Sequence, residues 1–169
     1  MQILPQAHAE TSYEGQVSTM SEASFWNYLR KLLPAGHYTR IESHDTAPGF
    51  PDVHYTLNGN SGTIELKDAK RPGAKYPFSR ESGLRRSQTT WMGEELAADG
   101  DERLFLALQC GDRVYLLKAA LYYDELHRMT EEDINRVATV KWKKGKKRAI
   151  WEEEYPLDMA LRDLLEGTL

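Results

Sequence analysis

Two short runs of alternating side chains, joined by a glycine-rich turn, restrict what this chain can fold into more than any other feature. Over residues 52–57 the apolar Val53, Tyr55 and Leu57 alternate with Asp52, His54 and Thr56; over 63–67 Ile64 and Leu66 alternate with Glu65 and Lys67. A period of two belongs to a strand with one buried and one polar face. The intervening Asn58-Gly59-Asn60-Ser61-Gly62 is turn chemistry, so the strands are predicted to pair antiparallel. Asp52, Glu65 and Lys67 then share the polar face of one hairpin.

The rest of the chain supplies elements to pack on that hairpin. Residues 1–18 are polar, carry Pro5 and Gly15 and show no period, which reads as a flexible N-terminal arm. Thr19-Met20-Ser21-Glu22 has the form of a capping box, and Phe25, Trp26, Leu29, Leu32 and Leu33 follow at helical spacing up to Pro34. A strand is predicted over 38–43, and Ala47-Pro48-Gly49-Phe50-Pro51 breaks the chain before Asp52. After a basic loop over 68–83 comes a helix over 84–98, with Leu84, Gln88, Trp91, Met92 and Glu95 on one stripe. Strands over 103–109 and 113–118 flank Cys110-Gly111-Asp112, and helices are predicted over 119–128 and 156–166. Residues 141–148 read as a basic hairpin or a loop. This order predicts an α/β (α+β) fold with a mixed central sheet of about five strands flanked by helices. Residues 19–169 are expected to form one domain, with a core over 19–128 and a basic segment and helix over 129–169.

Bulk properties narrow the classes of function. A chain of 169 residues, 40% hydrophobic, is long enough to bury one good core. Its formal net charge of −4 argues against coating a polyanion by bulk charge and leaves room for a local basic surface. The single Cys110 rules out an intramolecular disulfide and a cysteine-rich zinc site. No apolar run reaches the roughly 20 residues that span a bilayer, and the N-terminus lacks the pattern of a signal peptide. The expected location is cytoplasmic, the host cytoplasm for a virus-encoded chain.

A divalent cation used for phosphoryl transfer needs hard oxygen ligands and open positions. Asp52 and Glu65 offer two, as near or diagonal neighbours across the hairpin with backbone separations on the order of 7 Å. Lys67, two residues from Glu65 and on the same face, can hold an attacking water or counter charge on a phosphate. The Pro48-Gly49-Pro51 approach is abrupt, and Gly49 is the residue expected to tolerate substitution least. An acid and a lysine two apart are common on solvated faces; the joint pattern of G-x-P-D, strand, turn and I-E-L-K is much rarer. His44 and His54 read as ordinary surface or hydrogen-bonded residues, and Cys110 as a small packed one.

From about Ser21 to Lys118 these motifs resemble the PD-(D/E)xK nuclease superfamily, and within it the virus-type replication-repair nucleases and archaeal-type Holliday junction resolvases. The resemblance implies a restriction-endonuclease-like core and a centre built from Glu22, Asp52, Glu65, Lys67 and Gln88. It implies magnesium, with manganese as substitute, held by Asp52, Glu65, the Leu66 backbone carbonyl and Glu22 through water. Glu22 also has a complete structural role in its capping box. Gln88, a polar amide in an apolar stripe, needs a partner, either a backbone carbonyl or a water or phosphate that it positions.

Two basic runs suggest where nucleic acid would lie. Lys70, Arg71, Lys75, Arg80, Arg85 and Arg86 come after the centre against only Asp68 and Glu81, with Tyr76, Phe78 and Trp91 among them. Lys143, Lys144, Lys146 and Lys147 form the second run beside Trp142. The expected activity is magnesium-dependent endonucleolytic hydrolysis of DNA, structure-specific toward branched, flap or junction forms. The alternatives are a non-catalytic binding module on the same fold and an RNase, so RNA stays open as a partner. Junction resolution would require a homodimer, for which the sequence offers no seam.

Overall fold

The computed structural model describes residues 20–41, 48–99, 103–146 and 155–169. The central hairpin pairs β2 (Val53–Leu57) with β3 (Asn60–Asp68). Its turn is tighter than the sequence suggested: Leu57 pairs with Asn60, and Asn58 (φ 49°) and Gly59 (φ 80°) take the two left-handed positions of a two-residue hairpin loop. Ser61 and Gly62 therefore belong to the strand.

The expected mixed sheet is present and, among the described residues, has six strands, one more than the five read from the sequence, in the order β1-β2-β3-β4-β5-β6. β1 (His37–Arg40) runs antiparallel to β2, and β4 (Leu104–Cys110) parallel to β3. β5 (Arg113–Lys118) pairs antiparallel with β4, and β6 (Val140–Lys143), reached through a helical connection, pairs antiparallel with β5. β6 is the extra strand, since Val140 and Trp142 turn inward with a period of two while Lys143 faces out. These directions bring the end of β1, the start of β2, the ends of β3, β4 and β6 and the start of β5 to one edge of the layer.

One face of the sheet is covered by α1 (Met20–Leu32) and α5 (Leu157–Glu166). Phe25, Trp26 and Leu29 meet Val53, Tyr55, Ile64, Leu66 and Phe105 there, with Leu161, Leu164 and Leu165 from α5. Each fully buried Phe or Leu contributes about 1.5–3 kcal/mol. The other face is covered by α2 (Arg86–Asp99), α3 (Ala119–Tyr122) and α4 (Glu131–Val137), with Met92, Leu106, Leu108, Leu117 and Ile134 in its core.

The helix expected over 119–128 breaks after Tyr122, and a 3-10 turn succeeds it over Leu126–Arg128. Thr130 then starts α4 with a reciprocal capping box to Asp133, a short helix the hydrophobic pattern did not announce. The predicted arm, Thr19, His44 and Lys147 lie outside the described residues. No helix among the described residues is long and apolar enough to cross a membrane.

Candidate active site

The site forms where the hairpin comes apart. β2 begins at Val53, opposite Ile64, whereas β3 runs on to Asp68. One step further in the same register come Asp52 and Glu65, so their positions face each other across the fork. Asp52 crosses it with its side chain: Oδ2 accepts the Leu66 N–H at 2.9 Å. Its own carbonyl accepts the Ile41 N–H at 2.8 Å, which ties β1 to the same point. In a strand the N–H and C=O of one residue point to the same side, so the Leu66 carbonyl also faces the fork.

The turn before Asp52 is pressed against the start of α2. Gly49 has φ 84°, and a Cβ there would overlap the Ser87 carbonyl. Phe50 packs edge-on against Trp91 with ring centroids 5.0 Å apart. Gly49 is thus irreplaceable on two separate grounds, conformation and space.

Ile64 and Leu66 point into the α1 face, so strand alternation sends Glu65 and Lys67 to the α2 face, among Leu106 and Leu108. Glu65 is fully buried, with Lys67 Nζ 3.0 Å from its Oε1. The same oxygen accepts the Gln88 side-chain amide. Gln88 Oε1 in turn accepts the Arg85 N–H at 2.8 Å, which satisfies the backbone donor just before α2. Gln88 therefore binds a backbone N–H and a carboxylate, not the backbone carbonyl considered from sequence.

Glu65 Oε2 is buried without a hydrogen-bond partner among the described residues. Burial, with the Asp52 charge second, pushes this carboxyl up to about 8 against the opposing pull of Lys67. An unsatisfied buried oxygen costs about 1–3 kcal/mol, so this position calls for a water, an ion or the acid's own proton at Oε2.

The donor set fits a small hard cation that keeps several waters: two carboxylates, from Asp52 and Glu65, and the Leu66 carbonyl. Among the described residues no three His, Cys, Asp or Glu side chains converge as a closed cage. Glu22 stands further out, its carboxylate 3.8 Å from Lys67 Nζ and its side chain 40% exposed. That position suits contact through water rather than direct ligation.

A cleft of about 250 Å³ lined by Glu22, Pro48, Gly49, Asp52, Lys67, Arg85, Ser87 and Gln88 opens over these groups. Arg85 and Arg86 are exposed at the start of α2 and, among the described residues, have no carboxylate partner. Lys70 leans on Glu81 at 3.3 Å, Arg71 is exposed, and Lys75 lies 5.2 Å from the Tyr76 ring centroid. The Arg80 side chain lies outside what is described. Phe78 is core, and Trp91 packs on Phe50, which leaves Tyr76 as the accessible ring of the three named.

The second basic run reaches the same sheet edge from β6. Lys143 pairs with Asp112 at 3.3 Å, Lys144 lies 4.8 Å from the Tyr28 ring centroid, and Lys146 is exposed. Three strand spacings separate β6 from β3, roughly 14 Å. His54 is half-buried on β2 between Thr39 and Thr63 and lines neither the cleft nor the fork. Cys110 is buried, its Sγ 3.5 Å from the Pro72 carbonyl, and burial pushes its thiol up to about 12, consistent with a packed residue.

Sequence reasoning missed Arg40, which the end of β1 brings to a neighbouring cleft with Glu22 and Asp52. Only the β1–β2 register could have revealed it. No protein-family profile matches this chain, and no curated protein shows significant similarity to it.

Proposed function

We propose that this protein is a metal-dependent nuclease that hydrolyses phosphodiester bonds in DNA, with magnesium as the ion and manganese as its substitute. The observation that carries this reading is the buried Glu65 carboxylate, one oxygen unpartnered, in the same fork as Asp52 and Lys67. A fold that needed only packing would have placed an apolar residue there.

Asp52, Glu65 and the Leu66 carbonyl would hold the ion, with Glu22 reaching it through water. When bound, the ion supplies Lewis-acid polarisation of the phosphate and lowers the pKa of a water. Gln88 fixes the Glu65 carboxylate from the start of α2. Lys67, anchored by Glu65, presents an ammonium to the attacking water or to charge building on the phosphate. Arg85 and Arg86 neutralise neighbouring phosphates. Water adds to phosphorus, one ester oxygen leaves with a proton, and no covalent enzyme intermediate is needed.

The competing reading is a non-catalytic nucleic-acid module, favoured by the 3.0 Å approach of Lys67 to Glu65, a pair closed on itself. A gel assay offering linear duplex, single strand, flap, four-way junction and RNA, each with magnesium and with EDTA, separates the two. Metal-dependent cleavage of DNA supports the nuclease. Binding without cleavage of any substrate supports the module, and cleavage of RNA alone makes the centre an RNase.

A further inference from the structure

Two clefts meet at Glu22 and Asp52. The smaller, about 250 Å³, runs toward α2 and contains Lys67, Arg85 and Gln88. The larger, about 530 Å³, runs the other way between α1 and the end of β1, and is lined by Ala23, Trp26, Asn27, Arg40 and Ile41. Nothing in the proposed chemistry uses this second cleft.

We propose, resting on the nuclease reading, that the α1–β1 cleft is a nucleotide subsite on the far side of the scissile phosphate from Arg85. The strand cut at this centre is then one freed from base pairing at the scissile position. A phosphodiester has two halves, and a centre with a cleft on each side receives both. A strand can run through such a site, which suits internal cleavage.

The lining has the chemistry for it. Arg40 is half-buried at the strand end and, among the described residues, has no ion-pair partner, leaving its planar fork of donors for a phosphate. Asn27 is exposed on α1 and offers both donor and acceptor to a base edge or sugar. Trp26, largely buried, forms part of the wall. Glu22 and Asp52 oppose an anion in the same cleft, so occupancy should strengthen when a divalent ion is present.

Depth argues for an unpaired strand. Asp52 is 7% and Lys67 5% exposed, at the floor of a crevice between the starts of α1 and α2. A paired strand holds its backbone on a stiff rod and cannot send two successive nucleotides into opposed clefts without unstacking them.

The test is fluorescence anisotropy in calcium, with a gel run alongside to verify that the probes stay intact. The probes are a fluorescein-labelled single-stranded oligodeoxynucleotide and a labelled hairpin duplex. The proteins are wild type, Arg40→Ala, Ala23→Phe, which narrows the cleft without changing charge, and Arg162→Ala. Arg162 is exposed on α5, one turn before Glu166, which meets Asn58 at the opposite end of the sheet, and it serves as the matched charge loss. Arg40→Ala and Ala23→Phe are expected to weaken single-strand binding roughly tenfold while leaving duplex binding at the level of Arg162→Ala.

An Arg40→Ala protein that matches Arg162→Ala on the single strand, or that loses both probes alike, overturns the subsite. Should Ala23→Phe not fold, Arg40→Ala alone decides. If wild type binds and cuts DNA while Arg40→Ala keeps full affinity, the subsite falls and the nuclease stands. If wild type neither binds nor cuts, the nuclease reading falls and takes the subsite with it.

Discussion

Gln88 donates its side-chain amide to Glu65 Oε1 while its own Oε1 accepts the Arg85 N–H at 2.8 Å, so one residue both caps α2 and holds the central acid. The two roles can be separated. Gln88→Ala is expected to lose about 0.5–2 kcal/mol of stability with the cap, and about 10- to 100-fold in activity with the released carboxylate. Gln88→Glu keeps an acceptor for the helix start but sets a second carboxylate against Glu65. It should melt near wild type only at acid pH, where the two acids share a proton, melt lower as pH rises, and lose activity throughout, which circular dichroism and a cleavage assay check together.

Gly49 and Gly59 both have positive φ, and only Gly49 is also confined by its neighbours. Gly59→Ala should cost about 1–2 kcal/mol from conformation alone. Gly49→Ala carries the same strain plus roughly 1–3 kcal/mol for forcing the turn away from α2. Urea titrations of the two variants would show this ordering; equal midpoints would refute the close approach.

The buried Glu65 acid makes stability depend on pH in a defined direction. Its carboxyl is raised from 4.5 to about 8, so within that window the folded chain keeps a proton that the unfolded chain has released. The folded state binds more protons, and stability without metal falls as pH rises through the window, by a few kcal/mol in total. Glu65→Gln removes this slope. Magnesium, which takes the ionised form, should raise the melting temperature most near the top of the window. Thermal melts in EDTA in which wild type and Glu65→Gln share one pH profile would contradict the assignment.

The β6 run should contribute charge rather than chemistry. Lys144→Ala with Lys146→Ala is expected to leave the cleavage rate at saturating DNA unchanged. The slope of log affinity against log salt should become shallower by roughly 2, one unit per lost phosphate contact. An unchanged slope would place these lysines off the substrate path.

Strict alternation made the central part of the site legible in the sequence. The period of two in β2 and β3 put Asp52, Glu65 and Lys67 on one side, and the structure keeps all three at one fork. The Phe25, Trp26 and Leu29 stripe and the singular demand on Gly49 were legible for the same reason, a local pattern with one geometric solution. The fork itself was not, because it depends on β3 outlasting β2. Gln88's double role depends on which helix start packs over Glu65, and Arg40's position on a strand register. Val140 and Trp142 formed too short an alternation to be seen through the lysines around them, so β6 read as charge.

The most direct measurement is cleavage of labelled single-stranded and flap DNA by wild type, Asp52→Ala, Glu65→Ala and Lys67→Ala, each with magnesium and with EDTA, on proteins verified as folded. Wild type should cut only with the metal, and each variant should lose cleavage. Wild-type cleavage that persists in EDTA, or full activity in any one variant, contradicts the centre described.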